Sequence, residues 1–252
     1  MKRRRGVVAL AVLLAGPHVV GADVEEQALP ARVQRIVLHV LGGPAYREPQ
    51  WRFAFFEPLP TQARWKSRFG AHWIVWTDGS IWPRHPAEGE PSFWLPNPDR
   101  PADAAQKRRI AREARPVYSH LHHGNSNSLG VEVAHSGRRQ DPFPPEQIRS
   151  LAWLLKTLLE MSKERLTPSS IVGHKDVDRR PAYTTSRCER PGCPVYVDLE
   201  GRPYRRRVDP PEALFASLKR QSLDIPRPPE ADDELARAES LPPGLRPSVT
   251  SR

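Results

Sequence analysis

Short apolar runs that end at or beside a polar residue recur along the chain and predict the strands of a buried sheet. The first is Arg-Ile-Val-Leu-His-Val at 35–40, and the second is His-Trp-Ile-Val-Trp at 72–76. Residues 129–134 form a third run, interrupted by one carboxylate, and residues 170–174 form a fourth that ends on a histidine. Apolar runs of this length, bounded by turn residues, are typical of strands that are buried on both faces.

Turn and helix patterns lie between these runs. Thr-Asp-Gly-Ser at 77–80 predicts a hairpin turn into a return strand. A polar region contains a predicted helix near 104–114. Pro-Pro-Glu opens a longer helix over 144–163, and a second Pro-Pro-Glu opens a last helix over 210–220. The apolar residues of the longer helix recur at helical spacing: Ile148, Leu151, Leu155, Leu158 and Leu159.

The order of these elements predicts one α/β domain with a single mixed sheet and flanking helices, spanning about 30–222. Within it, residues 195–208 predict a further hairpin with a turn around Glu200-Gly201. Beyond Pro226 the sequence is Pro-rich, charged and poor in large apolar side chains, which predicts a disordered tail over 223–252.

The first 22 residues have the pattern of a signal peptide. A basic start over residues 2–5 leads into the apolar run 7–14, and Val-Gly-Ala at 20–22 supplies small residues for cleavage. The apolar run is too short to cross a bilayer comfortably, although a retained membrane anchor is the alternative. We therefore expect a periplasmic or secreted protein with no stable membrane insertion after cleavage.

The charge favours anionic partners. The chain carries a net charge of +10, and removal of residues 1–22 takes away four basic side chains and no acids, which leaves +6. Such an excess suits cell-wall polymers as well as nucleic acid. The sequence contains no basic helix, zinc-finger spacing or aromatic RNA-binding signature, so we expect no nucleic-acid partner.

The only two cysteines, Cys188 and Cys193, lie on either side of a Pro-Gly turn. In an oxidising compartment this spacing suits a small disulfide. In a reducing compartment a metal or redox role is the alternative.

Two histidines, His39 and His174, lie at or near the ends of predicted strands. A buried imidazole must satisfy both of its nitrogens, and a divalent metal is one way to do so. A single buried histidine is more often a hydrogen-bonded core residue. A hydrolytic zinc site needs three protein ligands and an open fourth position, and spacing alone does not identify the third ligand.

Five motifs in a fixed order give a resemblance to a known family. They are I-V-L-H at 36–39, A-H-W-I-V-W-T-D-G-S-I at 71–81, N-S-N-S-L-G-V-E-V at 125–133, I-V-G-H-K-D-V at 171–177 and R-R-V-D-P-P-E-A-L-F at 206–215. Each motif is weak alone, but in this order they resemble the type-2 N-acetylmuramoyl-L-alanine amidases, which share a fold with the peptidoglycan recognition proteins. The similarity extends from about 35 to 216.

The resemblance implies a zinc site. The first two ligands fall on His39 and His174, and the third is an Asp or Cys just before a proline. Asp209 and Cys193 both fit that description. We favour Asp209, because the predicted helix that follows matches the terminal helix of the family and because Cys193 has a possible disulfide partner. This choice requires a hairpin insertion at about 181–206.

The resemblance also implies roles for other side chains. Glu132 corresponds to the catalytic carboxylate, and burial on an apolar strand is expected to raise its pKa so that it can accept a proton from water. Arg207 occupies the position of a lysine that stabilises the oxyanion. His123 and Asn127 are candidate substrate contacts. Asp176, two residues after His174, is a candidate for orienting a ligand.

The activity implied by the resemblance is hydrolysis of the amide between N-acetylmuramic acid and L-alanine, in peptidoglycan or in soluble muropeptides. A non-catalytic peptidoglycan-binding protein of the same fold is the alternative. A zinc enzyme that cleaves another amide is a third possibility, because His39 is followed by Val-Leu-Gly-Gly-Pro. We expect the protein to be a monomer.

Overall fold

The apolar runs form one five-stranded sheet. A computed structural model describes residues 27–41, 71–118, 124–135, 141–177, 196–197, 203–204 and 209–227. The strands are β1 (Arg35–Leu41), β2 (Trp73–Val75), β3 (Ile81–Pro83), β4 (Ser128–Ala134) and β5 (Ile171–Gly173). Their order is β3-β2-β4-β1-β5. Within this five-stranded sheet, the β2–β3 pairing is antiparallel and the other three are parallel, which confirms the predicted mixed sheet.

The predicted turn at 77–80 joins β2 to β3. Gly79 has a φ of 81°, a left-handed conformation that glycine adopts without strain. The Asp78 carboxylate accepts hydrogen bonds from the Ser80 amide and the Ser80 hydroxyl, at 2.9 and 2.5 Å. These contacts fix the register in which Ile74 lies opposite Trp82.

Helices follow the predicted pattern closely. They are α1 (Ala104–Ala114), α2 (Pro145–Met161), the short α3 (His174–Val177) and α4 (Glu212–Arg220). A capping box formed by Asp103 and Gln106 starts α1. Gln147 of α2 is fully buried and donates to the Val75 and Ala134 carbonyl oxygens, at 3.0 and 2.7 Å. This amide attaches α2 to the ends of β2 and β4.

The two faces of the sheet have different surroundings. One face packs with α1, α2 and α4 into the main core, to which β1 and β4 contribute alternate residues: Ile36, Leu38, Leu129, Val131 and Val133. The other face, which we call the site face, carries His39, Glu132, Ile74 and Trp82. Its apolar part is a separate cluster of Ile74, Trp76, Trp82 and Ala134.

Two further strands lie within the predicted insertion. They are β6 (Tyr196–Val197) and β7 (Pro203–Tyr204), and they pair antiparallel. The other residues of the insertion, including the predicted turn at Glu200-Gly201, lie outside the described residues.

The C-terminal boundary differs from the prediction. Residues 223–227 were assigned to the disordered tail, but Leu223 and Ile225 are each 4% exposed and belong to the main core. Burial of these two side chains is why the packed domain extends at least to Arg227. The remainder of the tail and the predicted signal peptide at 1–22 lie outside the described residues. Within the described segments, no helix is long and apolar enough to cross a membrane.

Candidate metal centre on the site face

Two imidazoles and one carboxylate converge beside β1 and β5. The Nδ1 atoms of His39 and His174 are 2.8 Å apart, and the Nδ1 atom of His174 is 3.3 Å from an Asp209 carboxylate oxygen. One potential ligand atom from each residue lies within 4.8 Å of the other two. Both histidines are almost fully buried, whereas the Asp209 side chain is partly exposed.

Strand pairing explains why the two histidines meet. Leu38 of β1 lies opposite Gly173, the last residue of β5. The next residues are His39, still in β1, and His174, the first residue of α3, so their side chains leave adjacent backbone positions. Their rings meet edge to face, with centroids 4.2 Å apart.

Asp209 is attached to the same junction by its backbone. Its carbonyl oxygen accepts a hydrogen bond of 2.8 Å from the amide of Lys175, the residue after His174. Pro210 packs against Gly173, where an added Cβ would lie 2.9 Å from the Pro210 Cδ atom. The absence of a side chain at Gly173 therefore allows the Asp209 segment to approach β5.

The donor set fits a divalent metal such as zinc. When two imidazole Nδ1 atoms face each other at hydrogen-bond distance, only one of them can carry the intervening proton, and a shared cation satisfies both lone pairs instead. Two histidine nitrogens and a carboxylate oxygen are a common hydrolytic zinc set, with a fourth position left for water or substrate. The alternative ligand, Cys193, lies outside the described residues.

Glu132 lies next to His39 on the neighbouring strand. The two residues are partners in the parallel pairing of β1 with β4, so both side chains project from the site face. The Glu132 side chain is largely buried, at 9% exposure. The same lateral row continues through Ile74 of β2 to Trp82 of β3, which places an apolar surface beside the carboxylate.

Asp176 is turned back toward β5. Its carboxylate accepts the Gly173 amide hydrogen bond, at 2.7 Å, and pairs with both terminal nitrogens of Arg227. Asp176 is a candidate from the sequence, whereas Arg227 is not, because that arginine lies in the Pro-rich polar run that predicts a disordered tail.

Asn127 lies far from the three converging side chains. It ends a short 3-10 turn at the start of β4, and its side-chain amide donates to the Gln34 side chain at 3.0 Å. Glu132 lies five positions further along the chain in β4, which corresponds to a span of about 16 Å in extended backbone. The role of Asn127 as a substrate contact therefore stays a prediction. Arg207 and His123 lie outside the described residues.

His72 links three segments of the backbone. Its Nδ1 accepts a hydrogen bond of 3.0 Å from the Gly130 amide, and its Nε2 lies 3.0 Å from the Pro116 carbonyl oxygen. These contacts join the start of β2 to β4 and to the segment after α1.

Comparisons with known proteins identify the family. The family model described as N-acetylmuramoyl-L-alanine amidase matches residues 29–193, which is more than half of the chain. A search of curated proteins found no match.

Solved structures of amidases show weaker similarity. AMPDH3 from Pseudomonas aeruginosa is 16% identical, with 94% of this chain and 76% of that chain covered and a TM-score of 0.39. AmiD from E. coli, solved with the substrate anhydro-N-acetylmuramic acid-L-Ala-D-gamma-Glu-L-Lys, is 16% identical, with 76% and 79% covered and a TM-score of 0.35. The Ph2119 endolysin from a Thermus scotoductus bacteriophage is 18% identical, with 61% and 78% covered and a TM-score of 0.39.

These TM-scores are low, and the assignment is based on the family model alone. Its match extends through β1, β4, β5 and α3 to residue 193, and so includes His39, Glu132 and His174. The chain belongs to the N-acetylmuramoyl-L-alanine amidase family.

Proposed function

We propose that the protein is a zinc-dependent hydrolase that cleaves the amide between N-acetylmuramic acid and L-alanine in peptidoglycan or muropeptides. The observation that carries the proposal is the convergence of His39, His174 and Asp209 within 4.8 Å, next to Glu132 on the paired strand. A binding protein of this fold has no need to retain both the complete set of donor atoms and the adjacent carboxylate.

His39, His174 and Asp209 would hold the metal. Zinc in such a site acts as a Lewis acid that polarises a carbonyl and lowers the pKa of water. The carboxylate of Asp209 contributes one negative charge to the otherwise neutral donor set.

Glu132 is proposed to move the proton. Its carboxylate lies beside His39, where it accepts a proton from the attacking water and delivers it to the nitrogen of the leaving L-alanine. Burial next to Ile74 excludes competing water from this carboxylate. Arg207, by its resemblance to the lysine of the family, is proposed to donate hydrogen bonds to the oxyanion.

Substitution of Glu132 tests the proposal. We expect Glu132→Gln to lower the rate of L-alanyl peptide release from muropeptide by about 10²-fold or more, because the proton acceptor is removed. Zinc content is expected to be unchanged, because Glu132 is not among the three donor residues. Release is measured by chromatography with mass detection, on soluble anhydro-muropeptide and on intact sacculi in parallel.

The matched control is Glu146→Gln, which changes an exposed carboxylate at the start of α2. This variant is expected to keep wild-type activity. A wild-type protein that retains zinc and binds sacculi but releases no peptide would support the non-catalytic alternative.

We further propose, from the signal-peptide pattern at 1–22, that the enzyme acts in the periplasm or outside the cell.

A further inference from the structure

We propose that Arg227 is a positioning residue for the metal centre, because its guanidinium joins the two chain segments that carry His174 and Asp209. The inference rests on the proposed function, since it concerns the geometry of the same three donor residues. It assigns a role to a residue beyond the last helix.

Arg227 binds two carboxylates at once. Its two terminal nitrogens donate to the two oxygens of Asp176, at 2.7 and 2.9 Å, in a bidentate pair. The Nε atom and one terminal nitrogen also donate to Glu212, both at 3.1 Å. The Asp176 side chain is 6% exposed, so this ion pair is enclosed rather than held at the surface. Charge-assisted bidentate pairs of this kind are stronger and more directional than hydrogen bonds between neutral groups.

The two carboxylates belong to different segments of the centre. Asp176 follows His174 by two residues and also accepts the Gly173 amide, so it is attached to the turn from β5 into α3. Glu212 follows Asp209 by three residues at the start of α4, and its carboxylate also pairs with Lys175. Arg227 therefore fixes the segment of the second histidine against the segment of the aspartate.

The position of Arg227 is itself fixed from two sides. Its guanidinium lies over the Phe215 ring of α4, 3.7 Å from the ring centroid. Leu223 and Ile225 anchor the preceding backbone in the main core. Burial alone would lower the pKa of Arg227, but the hydrogen bonds and charges of Asp176 and Glu212 raise it overall. The guanidinium is therefore stabilised in its charged form by the two carboxylates.

Loss of the guanidinium would lower metal affinity indirectly, because the segments that carry His174 and Asp209 would be held less firmly in position. Without it, the buried Asp176 carboxylate loses its charge partner, and the β5–α3 turn and the Asp209 segment keep only the Lys175–Glu212 pair as a side-chain link. Residues that orient metal ligands without touching the metal typically change metal affinity by about 10–100-fold when they are replaced. We expect an effect of that size at Arg227.

The test uses the full chain and measures the zinc dissociation constant by competition with a chelator. Arg227→Met is expected to raise this constant by about 10-fold or more. Arg227→Lys is expected to fall between Met and wild type, because an ammonium keeps the charge but cannot form the bidentate pair. Glu212→Gln, which removes one end of the link at a half-exposed side chain, is expected to weaken zinc binding as well, and it serves if Arg227→Met does not fold.

Two controls separate positioning from stability. Lys219→Met breaks an exposed ion pair with Asp224 in the same region and is expected to leave the constant unchanged. Ile225→Ala destabilises the segment but keeps the guanidinium. Unfolding in urea is measured for every variant.

The inference is overturned if Arg227→Met binds zinc like the wild type, or if Ile225→Ala weakens binding as much at an equal loss of stability. Failure of the proposed metal centre gives a different result, because the wild-type chain would then bind no zinc. That result overturns the metal centre and the inference together, whereas failure of catalysis alone leaves zinc binding and its dependence on Arg227 intact.

Discussion

Glu113 of α1 is a buried carboxylate outside the candidate centre. It accepts hydrogen bonds from the indole nitrogen of Trp73 at 2.5 Å and from Arg109 at 2.9 Å. The Trp73 contact attaches α1 to β2, whereas Arg109 lies on α1 itself. Burial raises the pKa of Glu113 above its ordinary value of 4.5, although the hydrogen bonds from Trp73 and Arg109 oppose the rise. The carboxyl group therefore holds its proton more tightly in the folded protein than in the unfolded chain.

This difference predicts a pH dependence of stability. The stabilisation from the bound proton is complete below the ordinary pKa of 4.5 and is lost as the pH rises through the higher folded pKa. We expect the unfolding free energy of wild type, relative to Glu113→Gln, to fall over that interval and then to level off. Urea unfolding at a series of pH values measures it. A difference that grows as the pH rises would contradict the raised pKa.

The junction of β5 with α3 concentrates the contacts that shape the centre. The sequence pattern predicted a strand that ends on His174, but β5 ends at Gly173 and His174 begins a helical turn. The reason is local, because the Asp176 side chain folds back to accept the Gly173 amide. The apolar pattern predicts the strand but not where it ends, because the end depends on a contact between the Asp176 side chain and the backbone that single-residue propensities do not describe.

Substitution of Gly173 by alanine tests the importance of this junction. The new Cβ would lie 2.9 Å from both the Pro210 Cδ atom and an Asp176 carboxylate oxygen, so the backbone or Pro210 must move. We expect a loss of about 1–3 kcal/mol of unfolding free energy, as is usual for overpacking, and weaker zinc binding. Urea unfolding and chelator competition measure the two effects.

Ser169→Ala is the control, at an exposed residue in the preceding turn. We expect the unfolding free energy of this variant to stay within about 0.5 kcal/mol of the wild-type value. If Gly173→Ala were as stable as the wild type and bound zinc equally well, the close approach of the Asp209 segment would not matter for the centre.

Across the whole molecule, the sequence predicted most of the fold and part of the centre. Parallel strands buried on both faces give unbroken apolar runs, which is why β1 and β4 could be located. The contact between His39 and His174, which are 135 residues apart, was expected only from the family resemblance. Arg227 could not be found, because its partners Asp176 and Glu212 lie 51 and 15 residues away and its surroundings are polar.

The most direct test of the account is the zinc content of the purified wild-type protein beside two variants. Wild type is expected to hold zinc, Asp209→Ala to lose it, and Cys193→Ala to retain it, because the described structure groups the aspartate with both histidines. Elemental analysis after exhaustive dialysis measures the content, and circular dichroism checks the folding of each variant. Loss of zinc in Cys193→Ala with retention in Asp209→Ala would contradict the proposed centre.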